Sequence, residues 1–157
     1  MALSYSTGLV HNVLDLAGAS FADTLGGFVI DVYSGTRPAS ADAAVVTSGS
    51  TVLLGTITKS GLPATGDPAV YSIHMGSAVL RALDKSTTET WQFSATVAGV
   101  AAWFRLRQPT DDGLASTTEV RIDGSIGTFS GDARLSSTDI VVANVYTLNR
   151  FKLTWPV

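Results

Sequence analysis

Histidine and aspartate are the residues of this 157-residue chain with the clearest potential for chemistry. His11 and His74 are its two histidines, and cysteine is absent. Zinc sites combine His and Cys at short spacings such as H-x-x-x-H, whereas these two histidines stand 63 positions apart. We therefore predict no zinc site, and we expect each histidine to lie at the surface or in packing rather than to act as a ligand or base.

The acidic pairs are typical of turns rather than of catalytic sites. Asp111 and Asp112 precede Gly113, and Asp123 precedes Gly124; such Asp-Gly steps are ordinary turn chemistry. A glycosidase needs two carboxylates that face each other across a cleft, whereas adjacent aspartates point apart. The first pair is a candidate calcium loop, but it lacks the spaced aspartates of an EF-hand. The chain also lacks the G-x-S-x-G and G-x-x-x-x-G-K motifs. The sequence predicts no enzyme and no cofactor.

Arginines beside a tryptophan form the pattern best suited to ligand binding. Trp103, Arg105 and Arg107 alternate with Phe104 and Leu106, so the two sets face opposite sides of a predicted strand. An outward-facing Trp103 with these arginines would suit a surface glycan, or acids of a neighbouring subunit. Solvated strand positions are the alternative interpretation.

The element that positions these residues is the stretch 88–107, which predicts a β-hairpin. Trp91, Phe93, Ala95 and Val97 alternate with polar residues in its first strand. Gly99 is placed to supply the positive φ of a bulged hairpin loop. Aromatic side chains bury about 150–250 Å² each, so we expect the aromatic face of this hairpin to form the core.

Short strand patterns separated by turn residues run through most of the chain. The clearest alternations lie at residues 28–33, 51–59, 119–126 and 146–155. Roughly eight to ten such segments, spaced by about 8–12 residues, predict one mainly β domain. We expect an antiparallel β-sandwich of immunoglobulin-like or jelly-roll type, with a short N-terminal helical segment.

Two irregular regions are predicted outside this sandwich. Residues 1–27 predict a helical arm, with a first helix capped by Ser6 or Thr7 and a second turn that begins at Ser20. The apolar stripe of the first helix consists of Leu9, Val10, Val13, Leu14 and Ala17. Residues 34–50 form a loop far longer than the usual ~4–6 residues, which favours a contact arm or a surface covering.

The composition indicates a lightly charged surface. Charged residues make up 15% of the chain against about a quarter in an average domain, and mean hydropathy is +0.28. This favours a chain that hides part of its surface against partners; the alternative is a neutral β domain rich in small residues. A net charge of −3 without a Lys/Arg cluster argues against specific nucleic-acid binding. The sequence predicts neither a signal peptide nor a membrane span.

Several segments of the chain resemble small β-rich virion structural proteins of tailed bacteriophages. They span nearly the whole chain and are YSGTRPASADAAV, LLGT, the W-Q-F strand, AWFRL, DDGLASTTEVRIDGSIGT and LNRFKLTWP. The resemblance brings no catalytic residues with it. It implies a capsid decoration or cement protein, assembled in the bacterial host cytoplasm and present in many copies in the virion. A tail-associated subunit and a carbohydrate-binding module of the virion are the alternatives.

The partners implied by this resemblance are the major capsid protein, other virion proteins and further copies of the chain. We expect the N-terminal helix and the 34–50 loop to clamp neighbouring capsomers, so that deletion of residues 1–27 abolishes particle binding but leaves a folded domain. The predicted partner interface consists of Leu9, Val10, Val13, Leu14, Arg37, Pro38, Trp103, Arg105 and Arg107.

Overall fold

The computed structural model of the chain describes residues 2–14, 27–77 and 82–154. Its strands are β1 (Ser4–Tyr5), β2 (Val29–Tyr33), β3 (Leu53–Lys59), β4 (Ala82–Asp84), β5 (Trp91–Ser94), β6 (Gly99–Val100), β7 (Trp103–Arg107), β8 (Arg121–Gly127), β9 (Ala133–Leu135), β10 (Asp139–Ile140) and β11 (Val145–Thr154). Its helices are α1 (Thr7–Leu14) and α2 (Pro68–Tyr71). None of the helices in these residues is long and apolar enough to cross a membrane.

Seven of the strands close into a β-barrel. Hydrogen bonds connect them in the order β8-β7-β2-β3-β5-β11-β9, and β9 then pairs with β8 again. The β9–β8 pair is parallel and the other pairs of the barrel are antiparallel. The mainly β class is confirmed, but a closed barrel replaces the predicted sandwich. Both architectures need the same apolar alternation, and closure depends on a β9–β8 pairing that no local pattern specifies.

The barrel is filled by the apolar faces of its strands. Phe104 and Leu106 of β7 point inward, as the alternation predicts. Phe151 of β11 lies at the centre of the aromatic packing, with its ring 5.3 Å from that of Phe104 and 5.8 Å from that of Trp91. Trp91, Phe93 and Ala95 are buried as predicted, whereas Val97, three residues beyond the end of β5, is exposed.

The predicted hairpin at residues 88–107 does not form. β5 pairs with β3 and β11, whereas β7 pairs with β2 and β8, so two strands of the barrel separate them. Residues 95–102 instead cross one end of the barrel, where β6 pairs with β10. Gly99 has no positive φ, and a Cβ there would lie 2.9 Å from Cδ2 of Leu54, whose side chain would have to shift. Alternation specifies which side of a strand faces the core, not which strand pairs with it.

The end of the barrel crossed by residues 95–102 is called the capped end. At this end β2, β5 and β8 finish and β3, β7 and β11 begin. Ala101 and Ile140 are buried and close the mouth of the barrel. Backbone hydrogen bonds join the two crossing segments: Ala95 N–H donates to Asn144 at 2.9 Å, and Ala101 N–H donates to Thr138 at 2.9 Å.

The N-terminal segment is built into the barrel wall. β1 pairs with β8, and Leu9 of α1 is fully buried in the core. Ser6 caps α1 by accepting from Leu9 N–H at 3.1 Å, and the same oxygen accepts from Arg121 N–H at 2.8 Å. The first predicted helix is thus confirmed, and the predicted second turn from Ser20 lies outside the described residues.

Candidate functional site

Three arginine–aspartate pairs lie side by side on the outer face of β2, β7 and β8. They are Arg105–Asp123, Arg107–Asp31 and Arg121–Asp111. Arg105 donates from Nε and Nη2 to the two carboxylate oxygens of Asp123, at 2.8 and 2.7 Å. The alternation that turns Phe104 and Leu106 into the core turns these arginines outward. We call this set of three ion pairs the charged array.

The charged array faces out of the barrel, yet most of it is shielded from solvent. The side chains of Arg105, Arg121 and Asp123 have no exposed surface, because residues 34–50 and 108–119 cover the sheet. Arg105 Nη1 donates to the carbonyl of Ala43 at 2.8 Å. The interpretation of the two strand arginines as solvated is therefore wrong for Arg105, while Arg107 keeps 19% of its side chain exposed.

Asp31 gathers three donors at one edge of the array. It accepts from Arg107 Nε at 2.6 Å, from Thr56 Oγ1 at 2.7 Å and from the Tyr33 hydroxyl at 3.3 Å. Burial, together with the nearby charge of Asp31, raises the pKa of the Tyr33 phenol well above its usual range. The phenol thus stays protonated and acts as a donor to the carboxylate.

A small cavity of about 190 Å³ lies over the array, between Tyr33, Val45, Leu53 and Gly113. Three aspartates line it: Asp31 and Asp111 are held by guanidinium groups, and Asp112 accepts from Leu114 N–H at 2.9 Å. For Asp111, pairing with a guanidinium group stabilises the charged form and lowers the pKa, so its carboxylate is a weak base. Within residues 2–14, 27–77 and 82–154, no three His, Asp or Glu side chains gather as metal ligands. The arrangement is best suited to fastening the two covering loops to the barrel.

The pKa of Asp111 shows which protonation state of this carboxyl the charged array stabilises. Burial acts to raise the pKa of its carboxyl, but hydrogen bonds from Arg121 and from Gly113 N–H outweigh burial and hold the pKa below its usual range. Arg121 donates to this carboxylate from Nε at 2.6 Å and from Nη2 at 2.5 Å. The ionised form of Asp111 is therefore the form that stabilises the fold.

Replacing Asp111 with asparagine should lower the free energy of unfolding at neutral pH, and this loss should shrink in acid. Because the folded pKa lies below the unfolded value of about 3.9, the carboxylate contributes stability above that pH and loses it as pH falls through the folded pKa. Urea unfolding of the wild type and Asp111→Asn at pH ~7, ~4 and ~2.5 measures the difference. A difference that stays constant over this range would contradict the prediction.

Trp103 does not offer the predicted platform for a sugar. Its side chain faces out of the barrel, but it is only 2% exposed. The ring stacks on Tyr33 with centroids 4.4 Å apart, and its Nε1 donates to the carbonyl of Ser34 at 3.2 Å. Tyr33 is itself buried. A buried stacked pair cannot present an aromatic face to a glycan, so the interpretation of Trp103 as an exposed ligand-binding residue is wrong.

The structure brings the N-terminal segment and the long loop together. Thr7 donates from N and Oγ1 to the two oxygens of Asp42, at 2.7 and 2.6 Å. Arg37 Nη1 donates to the carbonyl of Ala2 at 3.0 Å, and Ala41 N–H donates to Ser4 Oγ at 3.2 Å. Residues 2–14 and 34–50 thus form one continuous surface, here called the helix–loop surface.

The predicted interface residues of the helix–loop surface differ in their availability. Val10 is 37% exposed, while Leu9 is fully buried and Val13 packs partly buried against the core. Arg37 and Pro38 are half-buried. The side chain of Leu14 lies outside the described part of the chain. Among the side chains of the helix that the structure describes, Val10 is thus the exposed large apolar one, and Leu9 is a core residue.

A second surface, which the sequence analysis missed, lies at the capped end. Five valines are exposed in the two segments that cross this end, and Phe129 is exposed in the turn that follows β8, a strand that finishes at the same end: Val97, Val100, Val141, Val142, Val145 and Phe129. We call these six residues the apolar surface. The sequence did carry a signal for this surface. Residues 94–102 and 140–147 carry no charge, and they contain more valines than the core-facing sides of their strands account for.

Comparisons with protein-family models, with curated proteins and with solved structures found no match. Proposals for this chain therefore depend on its own residues and surfaces.

Proposed function

We propose that the chain is a non-enzymatic structural subunit of a bacteriophage virion, a decoration or cement protein that binds and stabilises the head shell. The helix–loop surface carries this proposal. In it, two segments distant in the sequence are fastened side by side on a closed barrel by the bonds of Thr7 with Asp42 and of Arg37 with Ala2.

The charged array supports a binding role for this surface because it holds the loop rigidly. Arg105 anchors the loop at Ala43, and Val45 N–H donates to the carbonyl of Gly113 at 3.3 Å. A surface that is already ordered loses little conformational entropy when it binds. The arginines thus serve the proposed function by fixing the loop and not by contacting the partner, which revises the predicted role of Arg105 and Arg107.

The chemistry of the helix–loop surface suits the major capsid protein as the partner. Residues 43–50 carry no charge, and Val46 is well exposed beside small and hydroxyl side chains. Such a surface gives modest affinity in each contact. Symmetric repetition of the shell multiplies the contacts, so modest affinity is enough for a decoration protein.

Binding to purified heads tests this proposal. We expect the wild type to co-sediment with heads that lack the protein, and Val10→Asp/Val46→Asp to bind at least about tenfold more weakly, because each carboxylate must be desolvated at the contact. Val70→Asp, at an exposed valine of α2, is the matched control and should bind like the wild type. Wild-type protein that does not bind heads would overturn the proposal. Localisation on the tail in electron micrographs of virions would favour the tail-associated alternative.

A further inference from the structure

We infer that the apolar surface at the capped end is a contact between two copies of this chain. Six large apolar side chains are exposed there, and Phe129 is the most exposed of them at 88%. The other exposed large apolar residues in the described part of the chain occur one to a segment: Val10, Val46, Leu62, Val70 and Leu114. Singly exposed residues are normal, whereas a cluster of this kind marks an interaction site.

The valines are held outward by the way the barrel is capped. Ile140 points into the barrel mouth, so its neighbour Val141 points away from it. Val141 N–H donates to the Tyr146 hydroxyl at 2.8 Å, and Ala143 N–H donates to the carbonyl of Ala95 at 2.8 Å. Ala143 adopts a φ of 67°, which is unfavourable for a residue with a Cβ, and it returns the chain at once into β11. The capping geometry therefore fixes the valines in place.

Phe129 is presented by an equally well-braced turn between β8 and β9. Asp132 accepts from the N–H and the hydroxyl of Ser125, both at 2.8 Å, and Asp132 N–H donates back to the carbonyl of Ser125. Gly131 has a φ of 100°, which only glycine adopts readily. The turn thus projects an aromatic ring from a fixed base, and such anchors are typical of the centres of interfaces.

The charge distribution favours a second copy as the occupant. The net charge of −3 comes from residues 1–58, where four aspartates stand against Arg37, while residues 59–157 carry nine charges of each sign. Repulsion between two copies therefore comes mainly from the first third of the chain. Residues 94–102, 126–131 and 140–147 carry no charge. Two acids adjoin them: Asp132, whose carboxylate is held by Ser125, and Asp139, exposed on β10. Two copies can therefore meet at the capped end with little repulsion. In a two-fold contact, Phe129 of each copy would pack on the valines of the other.

The size of the apolar surface sets the strength of this contact. A docked phenylalanine buries about 150–250 Å², and the valines bring the contact to several hundred Å² per copy. A standard interface buries about 800 Å² per partner, so the isolated dimer should be weak. The dimer does not depend on a virion role. Copies held side by side on a shell would form this contact more strongly than free copies, and this part of the inference rests on the proposed function.

Sedimentation equilibrium over a concentration series tests the dimer. We expect wild-type protein to self-associate, with added salt leaving the association unchanged or tighter, since no opposite charges meet. Val100→Asp/Val142→Asp should raise the dissociation constant about 100-fold, at about tenfold for each substituted position. Phe129→Ala should raise it about tenfold and, at an 88% exposed position, should leave the fold intact. Val70→Asp is the matched control and should self-associate like the wild type.

Three results would overturn the inference: a wild type that stays monomeric at about 1 mM, a Phe129→Ala variant that self-associates as tightly as the wild type, or a Val70→Asp variant that is as impaired as the double variant. These results are separable from those for the proposed function. Monomeric protein that binds heads would refute the dimer alone, and dimeric protein that ignores heads would refute the head-binding role alone.

Discussion

Replacing Asp123 with asparagine should lower the free energy of unfolding by about 3–5 kcal/mol, the usual cost of removing one partner from a buried ion pair. Asp123 and Arg105 have no exposed side-chain surface, and the two groups are joined by two hydrogen bonds. Asparagine keeps the shape but removes the charge, so the guanidinium stays buried with the carbonyl of Ala43 and a neutral amide. Urea unfolding measures the change as a lower midpoint with an unchanged slope.

An ion pair whose lysine is exposed provides the control for this substitution. Lys59 Nζ lies 3.8 Å from Glu89, with 43% of the lysine side chain exposed. Because solvent screens such a pair, Lys59→Gln should change stability by no more than about 0.5 kcal/mol. The double variant Arg105→Met/Asp123→Leu should recover most of the loss, since it removes both buried charges together. An Asp123→Asn protein as stable as Lys59→Gln would show that the array is hydrated and does not fasten the loops.

The charged array also shows what the sequence can and cannot predict. Alternation correctly placed Arg105 and Arg107 on the side of β7 opposite Phe104 and Leu106. It could not predict their burial, because the cover comes from residues 34–50 and 108–119, which have no strand pattern. The partners are also distant, since Asp31 stands 76 positions from Arg107. A strand pattern reports orientation relative to its own sheet, whereas burial depends on the whole chain.

The difference between the orientation of a strand and its pairing also explains why the apolar surface was not predicted from the sequence. Trp91 and Phe93 of β5 and Phe104 of β7 were correctly assigned to the core, but the two strands were expected to pair with each other. Once two further strands separate them, residues 95–102 must cross the end of the barrel, and their valines become exposed. The local residue patterns correctly predicted that these segments are strands. They could not predict which strands pair, because pairing depends on residues distant in the sequence.

Replacing Leu9 with alanine should lower the free energy of unfolding by about 3 kcal/mol, as expected for a large residue removed from a packed core. Leu9 is fully buried, and Ser6, which caps its helix, also bonds to the backbone of Arg121 in the barrel wall. Val10→Ala is the matched control on the same helix. Since Val10 is 37% exposed, this change should cost no more than about 0.5 kcal/mol. Urea unfolding of both variants gives the comparison.

The Leu9 result decides how the N-terminal segment is to be tested. Deletion of residues 1–27 was expected to leave a folded domain, but it removes Leu9, β1 and the Ser6 cap together. If the truncated protein failed to bind heads, the result would not identify the binding surface, because the barrel itself is weakened. This is why Val10 and Val46, which are exposed, were chosen for the binding test. If Leu9→Ala costs no more than Val10→Ala, the helix is a separable arm, and the deletion becomes the stronger test of head binding.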